Sequence, residues 1–401
     1  MLLILLKMEF KKKRMNRVFC SALLIFIVAA SLSCNSESAY YDKESWNNAF
    51  NKQEHLNTNR EKVAVLNDMC DIPNLKYIDD HYLYIYDSKD LVVYIYSREN
   101  YRIKAKFGGK GEGPGEFQRI HAFKVYDDFI FVNSTGKSSY FSKDGVLLKE
   151  EKCPPHLIPC LPVKDNFVTD EFALPPSGGY KTPYAEKKVH LVGSDFKIKN
   201  TLFQKTLNCM MVYNQKSGRT EFTLFPDWCD YKVYKNKIYM GYTSLEGFFF
   251  TVFNSRGNKL YEITRPYLKR QIPDIFKEAV LKKPYRLSWN DQILKLKFYK
   301  YFPSFANFFV ADDRIYIYLF PEVDRQRILI MDLKGKLIDV CLVPFDLNVF
   351  DNYSYQIFYA DKVIHKGQSY YLHDNEEEKQ WELWRIKVTN LPLPGDTAAD
   401  R

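Results

Sequence analysis

One short pattern returns along this chain and restricts its fold more than any other feature: a polar turn that opens into a run of aromatic and β-branched residues. Asp79-Asp80-His81-Tyr82-Leu83-Tyr84-Ile85-Tyr86-Asp87 carries it most clearly. Asp127-Asp128-Phe129-Ile130-Phe131-Val132-Asn133 and Asp312-Asp313-Arg314-Ile315-Tyr316-Ile317-Tyr318 repeat it, each followed by a further apolar run and a turn containing Gly. Fainter copies begin at Lys164-Asp165-Asn166-Phe167-Val168, Lys235-Asn236-Lys237-Ile238-Tyr239-Met240 and Lys366-Gly367-Gln368-Ser369-Tyr370-Tyr371-Leu372. Aromatic and β-branched side chains suit a pleated, half-buried surface. Short apolar runs bounded by turn residues therefore read as strands.

Six copies, roughly 40 to 75 residues apart with room for about four strands each, match the blades of a ring. One such sheet cannot bury both faces and must stack on its neighbours. The expectation is an all-β chain, a six-bladed β-propeller over residues 61–390, with a short helical insertion near 265–302 and a polar tail at 391–401. The hydrophobic fraction of 46%, with 30 Tyr and 30 Phe, supplies the core. The uneven spacing implies loop insertions. The last copy ends in Trp381-Glu382-Leu383-Trp384-Arg385-Ile386-Lys387-Val388 with nothing after it to serve as an outer strand, whereas Glu61-Lys62-Val63-Ala64-Val65-Leu66 is an orphan before the first blade. The orphan is predicted to pair with the last blade, close the ring and remove an exposed sheet edge.

Residues 1–34 have the order of an export signal: basic residues from Lys11 to Arg17, an apolar run from Val18 to Ala30, then Ser31-Leu32-Ser33 ahead of Cys34. The apolar run is short for a bilayer core of about 30 Å, which favours cleavage over spanning. Leu2 to Leu6 precede the basic cluster, so Met8 or Met15 are alternative starts to Met1. Residues 35–60 are polar, without apolar period, and read as a flexible tether. The formal charge of +9 is concentrated: residues 1–33 hold six Lys/Arg against Glu9 alone, and the rest of the chain carries +4. A nucleic-acid partner would require a broad basic face, so none is expected.

The segment Phe107-Gly108-Gly109-Lys110-Gly111-Glu112-Gly113-Pro114-Gly115-Glu116-Phe117 is the most distinctive in the chain. It resembles the connection between blades in NHL-type propellers. With Cys34 in a lipobox-like setting and six repeats, residues 61–390 resemble the six-bladed propeller lipoproteins of Bacteroidota, in the TolB-like class. That resemblance implies acylation at Cys34 and an outer-membrane lipoprotein on the periplasmic or cell-surface side; it says little about activity. Read from the residues, the glycines suggest either an anion cradle of backbone N–H groups or a tight turn needing positive φ. A cradle of the nucleotide-binding type needs a helix directly after the glycines, and Phe117 to Val125 is strand-like instead.

In a four-stranded blade, connections between blades and between second and third strands share one face. That face receives the long segments here: the glycine run, residues 174–181, residues 321–326 and the insertion at 265–302. The insertion holds ten Lys/Arg against Asp274, Glu278 and Asp291, which suggests an acidic glycan, peptide or envelope protein as partner or a solvated cover over one mouth of the ring. Candidate ligand-binding residues are Glu116, Arg119, His121, Lys282, Lys283 and Arg286. His121 and Arg119 are also the candidate catalytic pair of a propeller lyase or hydrolase working in the axial channel. The plainer reading of His121 is a structural hydrogen bond. The seven histidines have no paired metal spacing, so no metal or cofactor is expected. Cys153 and Cys160, around Pro154, Pro155 and Pro159, are the candidate disulfide. A binding module presenting one propeller face is the first functional expectation, and the channel enzyme the second.

Overall fold

The computed structural model describes Trp46 and residues 59–66, 72–157, 159–173, 184–208, 211–214, 219–224, 227–282, 288–289, 292–293, 295–322, 324–345, 362–389 and 391. Six four-stranded antiparallel sheets, the blades, follow one another along the chain. Blade 1 is Pro73–Ile78, Tyr82–Asp87, Val92–Ser97 and Ile103–Gly108. Blade 2 is Ile120–Val125, Ile130–Ser134, Lys137–Phe141 and Leu147–Lys152. Blade 3 runs from Cys160–Val163 through Asn166–Ala173 and Tyr184–Gly193 to Ile198–Asn208. Blade 4 comprises Trp228–Tyr234, Lys237–Thr243, Gly247–Asn254 and Lys259–Pro266. Blade 5 comprises Asn307–Ala311, Arg314–Tyr318, Arg325–Asp332 and Leu337–Pro344. Blade 6 is Val363–His365, Gln368–Asn375 and Gln380–Lys387, completed by Arg60–Leu66 from the start of the described chain.

Every copy of the sequence pattern forms the turn between the first and second strands of a blade. In three copies the two turn residues both take positive φ: Lys235 and Asn236, Asp312 and Asp313, Lys366 and Gly367. Such turns match the twist of the strands they join. In blade 1, Asp79 Oδ1 instead accepts hydrogen bonds from the backbone N–H groups of His81 and Tyr82 at 2.9 and 2.7 Å. The aspartate pairs are thus turn formers.

Alternation along each second strand explains why these runs are apolar throughout. Tyr84 and Tyr86 pack toward blade 2 with Val125, Ile130 and Val132. Leu83 and Ile85 point the other way, into a cluster with Tyr370 and Leu383 of blade 6. Ile130 and Val132 meet blade 1, while Phe131 meets Cys160 and Phe167 of blade 3. The same division recurs at the seams between blades 3 and 4, 4 and 5, and 5 and 6. Since a strand sends successive side chains to opposite faces, a strand sandwiched on both sides is apolar on both, rather than alternating with polar residues.

Closure is as the sequence predicts. Arg60–Leu66 pairs antiparallel with Gln380–Lys387, with Leu66 opposite Trp381 and Glu61 opposite Arg385. The Arg385 guanidinium donates to the Glu61 carboxylate at 2.7 and 2.8 Å, and Lys62 Nζ lies 3.1 Å from Glu382.

Two expectations are corrected. Within the stretch read as a tether, Trp46 is buried: its Nε1–H donates to Pro266 O at 2.8 Å and its ring meets Phe248 edge-on at 5.1 Å. A large apolar ring gains too much from leaving water to stay on a solvated linker. Among the described residues of the insertion, helix forms only at Asp274–Lys282, behind Pro273. Ile293 and Leu296, read as helical, lie in strands: Gln292–Ile293 pairs with Ser288–Trp289, and Lys295–Phe298 adds in parallel to Arg219–Leu224. The polar-apolar alternation of Lys295-Leu296-Lys297-Phe298 fits a strand, and an available sheet edge outweighs a short helical period.

Candidate functional site

The innermost strands surround an axial cavity of about 500 Å³ that receives residues from all six blades. Lysines dominate its polar lining: Lys76 from blade 1, Lys124 from blade 2, Lys187 from blade 3, Lys232 from blade 4, and Lys362 at the entry to blade 6. Lys124 and Lys232 hold the same register, three residues before the first turn residues Asp127 and Lys235. Lys76 stands likewise three before Asp79, and Lys362 four before Lys366. Aromatic side chains from Tyr77, Tyr86, Phe123, Trp228, Tyr231 and Phe309 fill the wall between them.

The charge is unevenly balanced around the ring. On one side Lys232 Nζ is 2.6 Å from Asp230 Oδ2, and Lys187 is ion-paired with Asp170. Lys187 also lies over the Trp228 ring, 5.3 Å from its centroid. On the other side Lys362 Nζ donates to the neutral Gln326 Oε1 at 3.2 Å, and Lys76 sits 6.0 Å from the Tyr86 ring centroid. Burial pushes both Lys124 and Lys362 down to about 8, with repulsion from Lys232 on the first and Arg60 on the second. Desolvation penalises the charged ammonium, and a nearby like charge adds to it.

The sequence-predicted residues divide among several places. His121 lines the channel, its Nε2 3.0 Å from Thr135 Oγ1, and burial together with Arg119 holds its pKa below the ordinary imidazole value. Arg119 and Glu116 are exposed on the segment leading to that strand. Glu116 folds back on its own loop, its carboxylate accepting the Gly113 N–H at 3.0 Å. The structure therefore brings His121 alone among them into the channel. Lys282 ends the insertion helix. Lys283, Arg286 and the lipobox Cys34 lie outside the described residues.

The glycine segment spends its amides internally. Gly109 N–H donates to Leu91 O at 2.9 Å, Gly111 N–H to Phe117 O at 3.1 Å, and Gly115 N–H to Glu150 Oε1 at 3.1 Å. Gly108 has φ +91°, and a Cβ there would stand 2.7 Å from both Leu91 O and the Phe117 ring. The turn reading fits this geometry, since only glycine tolerates that backbone and that proximity.

Part of the insertion's positive charge is structural. Arg265 is buried and donates to Gly335 O at 2.6 Å; Arg270 donates to Phe320 O at 2.8 Å and faces Glu322 at 3.5 Å; Lys277 pairs with Asp274 at 2.8 Å. The channel lysines, by contrast, escaped sequence reading. They are scattered from residue 76 to residue 362, and only the recurring place of Lys76, Lys124, Lys232 and Lys362 three or four residues before a turn signals that they converge.

Two other features carry potential chemistry. On the opposite face a cleft of about 610 Å³ at the closure seam holds Asp80, whose carboxylate contacts His365 at 3.0 Å and Lys366 at 2.5 Å. Between blades 2 and 3, the buried thiols of Cys153 and Cys160 stand 3.7 Å apart, unbonded. Among the described residues no group of three His, Cys, Asp or Glu side chains is arranged to hold a metal, and no helix is long and apolar enough to cross a membrane.

A family model described as a 6-bladed beta-propeller, DUF5128, matches residues 65–285, more than half of the chain. Among solved structures, a candidate exported protein from Bacteroides fragilis is similar at 14% identity and a TM-score of 0.46, covering 82% of this chain and 96% of that one. BamB from Moraxella catarrhalis is similar at 8% identity and a TM-score of 0.28, covering 77% of this chain and 83% of that one. No curated protein matches.

Proposed function

The chain belongs to the DUF5128 six-bladed β-propeller family, and on that scaffold we propose an exported cell-envelope lipoprotein, tethered through acylated Cys34, that acts as a binding module. The observation that carries the binding reading is the axial channel. Its wall combines aromatic rings with lysines, and its two aspartates, Asp170 and Asp230, are both committed to ion pairs with Lys187 and Lys232. A lyase or hydrolase needs an acid and a base poised at a reacting bond. His121, the one histidine among the lining residues, is instead hydrogen-bonded to Thr135. Concave pockets with apolar walls and a few convergent polar groups are the usual form of ligand seats.

Two measurements test this. Intact-mass analysis of the native protein from membranes is expected to show an acylated N-terminal cysteine at position 34; an unmodified Cys34 removes the tether. Calorimetric screening of glycans and peptides should find a ligand whose binding is weakened at least about tenfold by Trp228→Ala in a folded variant. Product accumulation on incubation with such a ligand overturns the module in favour of the channel enzyme.

A further inference from the structure

We infer that the axial channel is a receptor for a small organic polyanion, one carrying two or more carboxylate, sulfate or phosphate groups. This rests on the binding-module reading and names the chemistry of its ligand. Five lysines face two aspartates in the lining, and the two carboxylates neutralise Lys187 and Lys232 on blades 3 and 4. Lys124 and Lys362 stand on the other half of the ring. Among the described residues Lys124, on blade 2, contacts no carboxylate, and Lys362, on blade 6, has only the side-chain amide of Gln326 as a hydrogen-bond partner. Lys76 projects from blade 1 between them.

Two ammonium groups lining one aromatic-walled cavity lose hydration there. A ligand with a single charge answers one of them. Blades 6 and 2 are two steps apart around a six-membered ring, so Lys362 and Lys124 approach the axis from directions roughly 120° apart. A molecule with at least two acid groups meets both, and low-dielectric walls focus the field on it. The cavity's 500 Å³ suits a small molecule. The rings of Tyr77, Tyr86 and Phe309 supply apolar surface for its carbon skeleton.

The test is calorimetry at low salt with citrate, inorganic sulfate, inorganic phosphate and digalacturonate, using acetate and a neutral disaccharide as comparisons. At least one multivalent anion is expected to bind with a stoichiometry of one, at least about tenfold tighter than acetate, and to weaken as salt is raised. Lys124→Met and Lys362→Met should each weaken it by about tenfold or more. Lys149→Met, which removes the same charge from the outer strand of blade 2, should change it by less than about twofold. Which of carboxylate, sulfate or phosphate binds tightest identifies the acid group. Binding that survives the Lys124→Met/Lys362→Met double variant, or a loss equalled by Lys149→Met, overturns the proposal. A neutral disaccharide that binds in the channel while no anion does overturns the polyanion and leaves the binding module. If no ligand of any charge binds here or in the wider screen, both fall.

Discussion

Single residues carry two consequences of burial that can be measured. Lys124 and Lys362 sit near 8 in the folded protein, against 10.5 for an unperturbed lysine. The groups facing them are Lys232, Arg60, Lys76 and His121, with Asp230 and Asp170 already paired. Between about pH 8 and 10 the unfolded chain therefore binds more protons at these two sites than the folded one, so the pair contributes a gain in stability as pH rises across that window. The urea midpoint of the wild type should rise with pH relative to that of the Lys124→Met/Lys362→Met variant; parallel profiles argue against both buried ammonium groups. The thiol pair makes a second case. Hydrogen bonds from Cys160, Asn133 and Ser138 bring the Cys153 thiol down to about 7, while the Cys160 thiol is pushed up by the shared proton and by burial. A nucleophilic thiolate against a neighbouring thiol is arranged for oxidation. Protein recovered from an oxidising compartment should lack two hydrogens by mass, and reduction should lower its stability by about 2–3 kcal/mol. Two free thiols after mild oxidation would remove the expected disulfide.

At the scale of elements, the blades explain why a sequence pattern was so legible. The first residues of each second strand are covered on both faces, so apolar runs follow directly on the polar turns; polar residues such as Asn133, Thr169 and Asp374 come later in the strands. The insertion was less legible because its short segments lack enough periods to separate helix from strand. Its helix, Asp274–Lys282, is held by Phe276, which meets Phe302 edge-on at 5.3 Å; Phe302 in turn stacks on Phe320 at 4.7 Å. Phe276→Ala should cost about 3–5 kcal/mol if these rings anchor the insertion to the body. Denaturant unfolding of the variant measures it, and a loss below about 1 kcal/mol would show that the helix is only laid over the surface. Basic residues were harder to interpret than apolar ones. Arg265 and Arg270 add to the insertion's charge in sequence, yet each is spent on backbone carbonyls in the structure.

For the whole molecule, the ring depends on a strand taken from the other end of the sequence. Arg60–Leu66 completes blade 6 and places Leu66 in the apolar seam shared with Leu75, Leu83 and Tyr96 of blade 1. A chain beginning at residue 67 should melt more than about 10 °C below one beginning at residue 59, since both lack Trp46 and only the first lacks the closing strand. Equal melting temperatures would mean that the ring holds without its clasp. The sequence by itself determined the blades, their number and this closure, because strand periodicity and turn chemistry are local and an unpaired edge strand demands a partner. Only the tertiary structure decided the channel's character. Lys76, Lys124, Lys187, Lys232 and Lys362 are far apart along the chain, and their shared electrostatics exist only once six blades turn their inner strands toward one axis. The same holds for Trp46, whose seat against Phe248 and Pro266 is built from residues some 200 positions away.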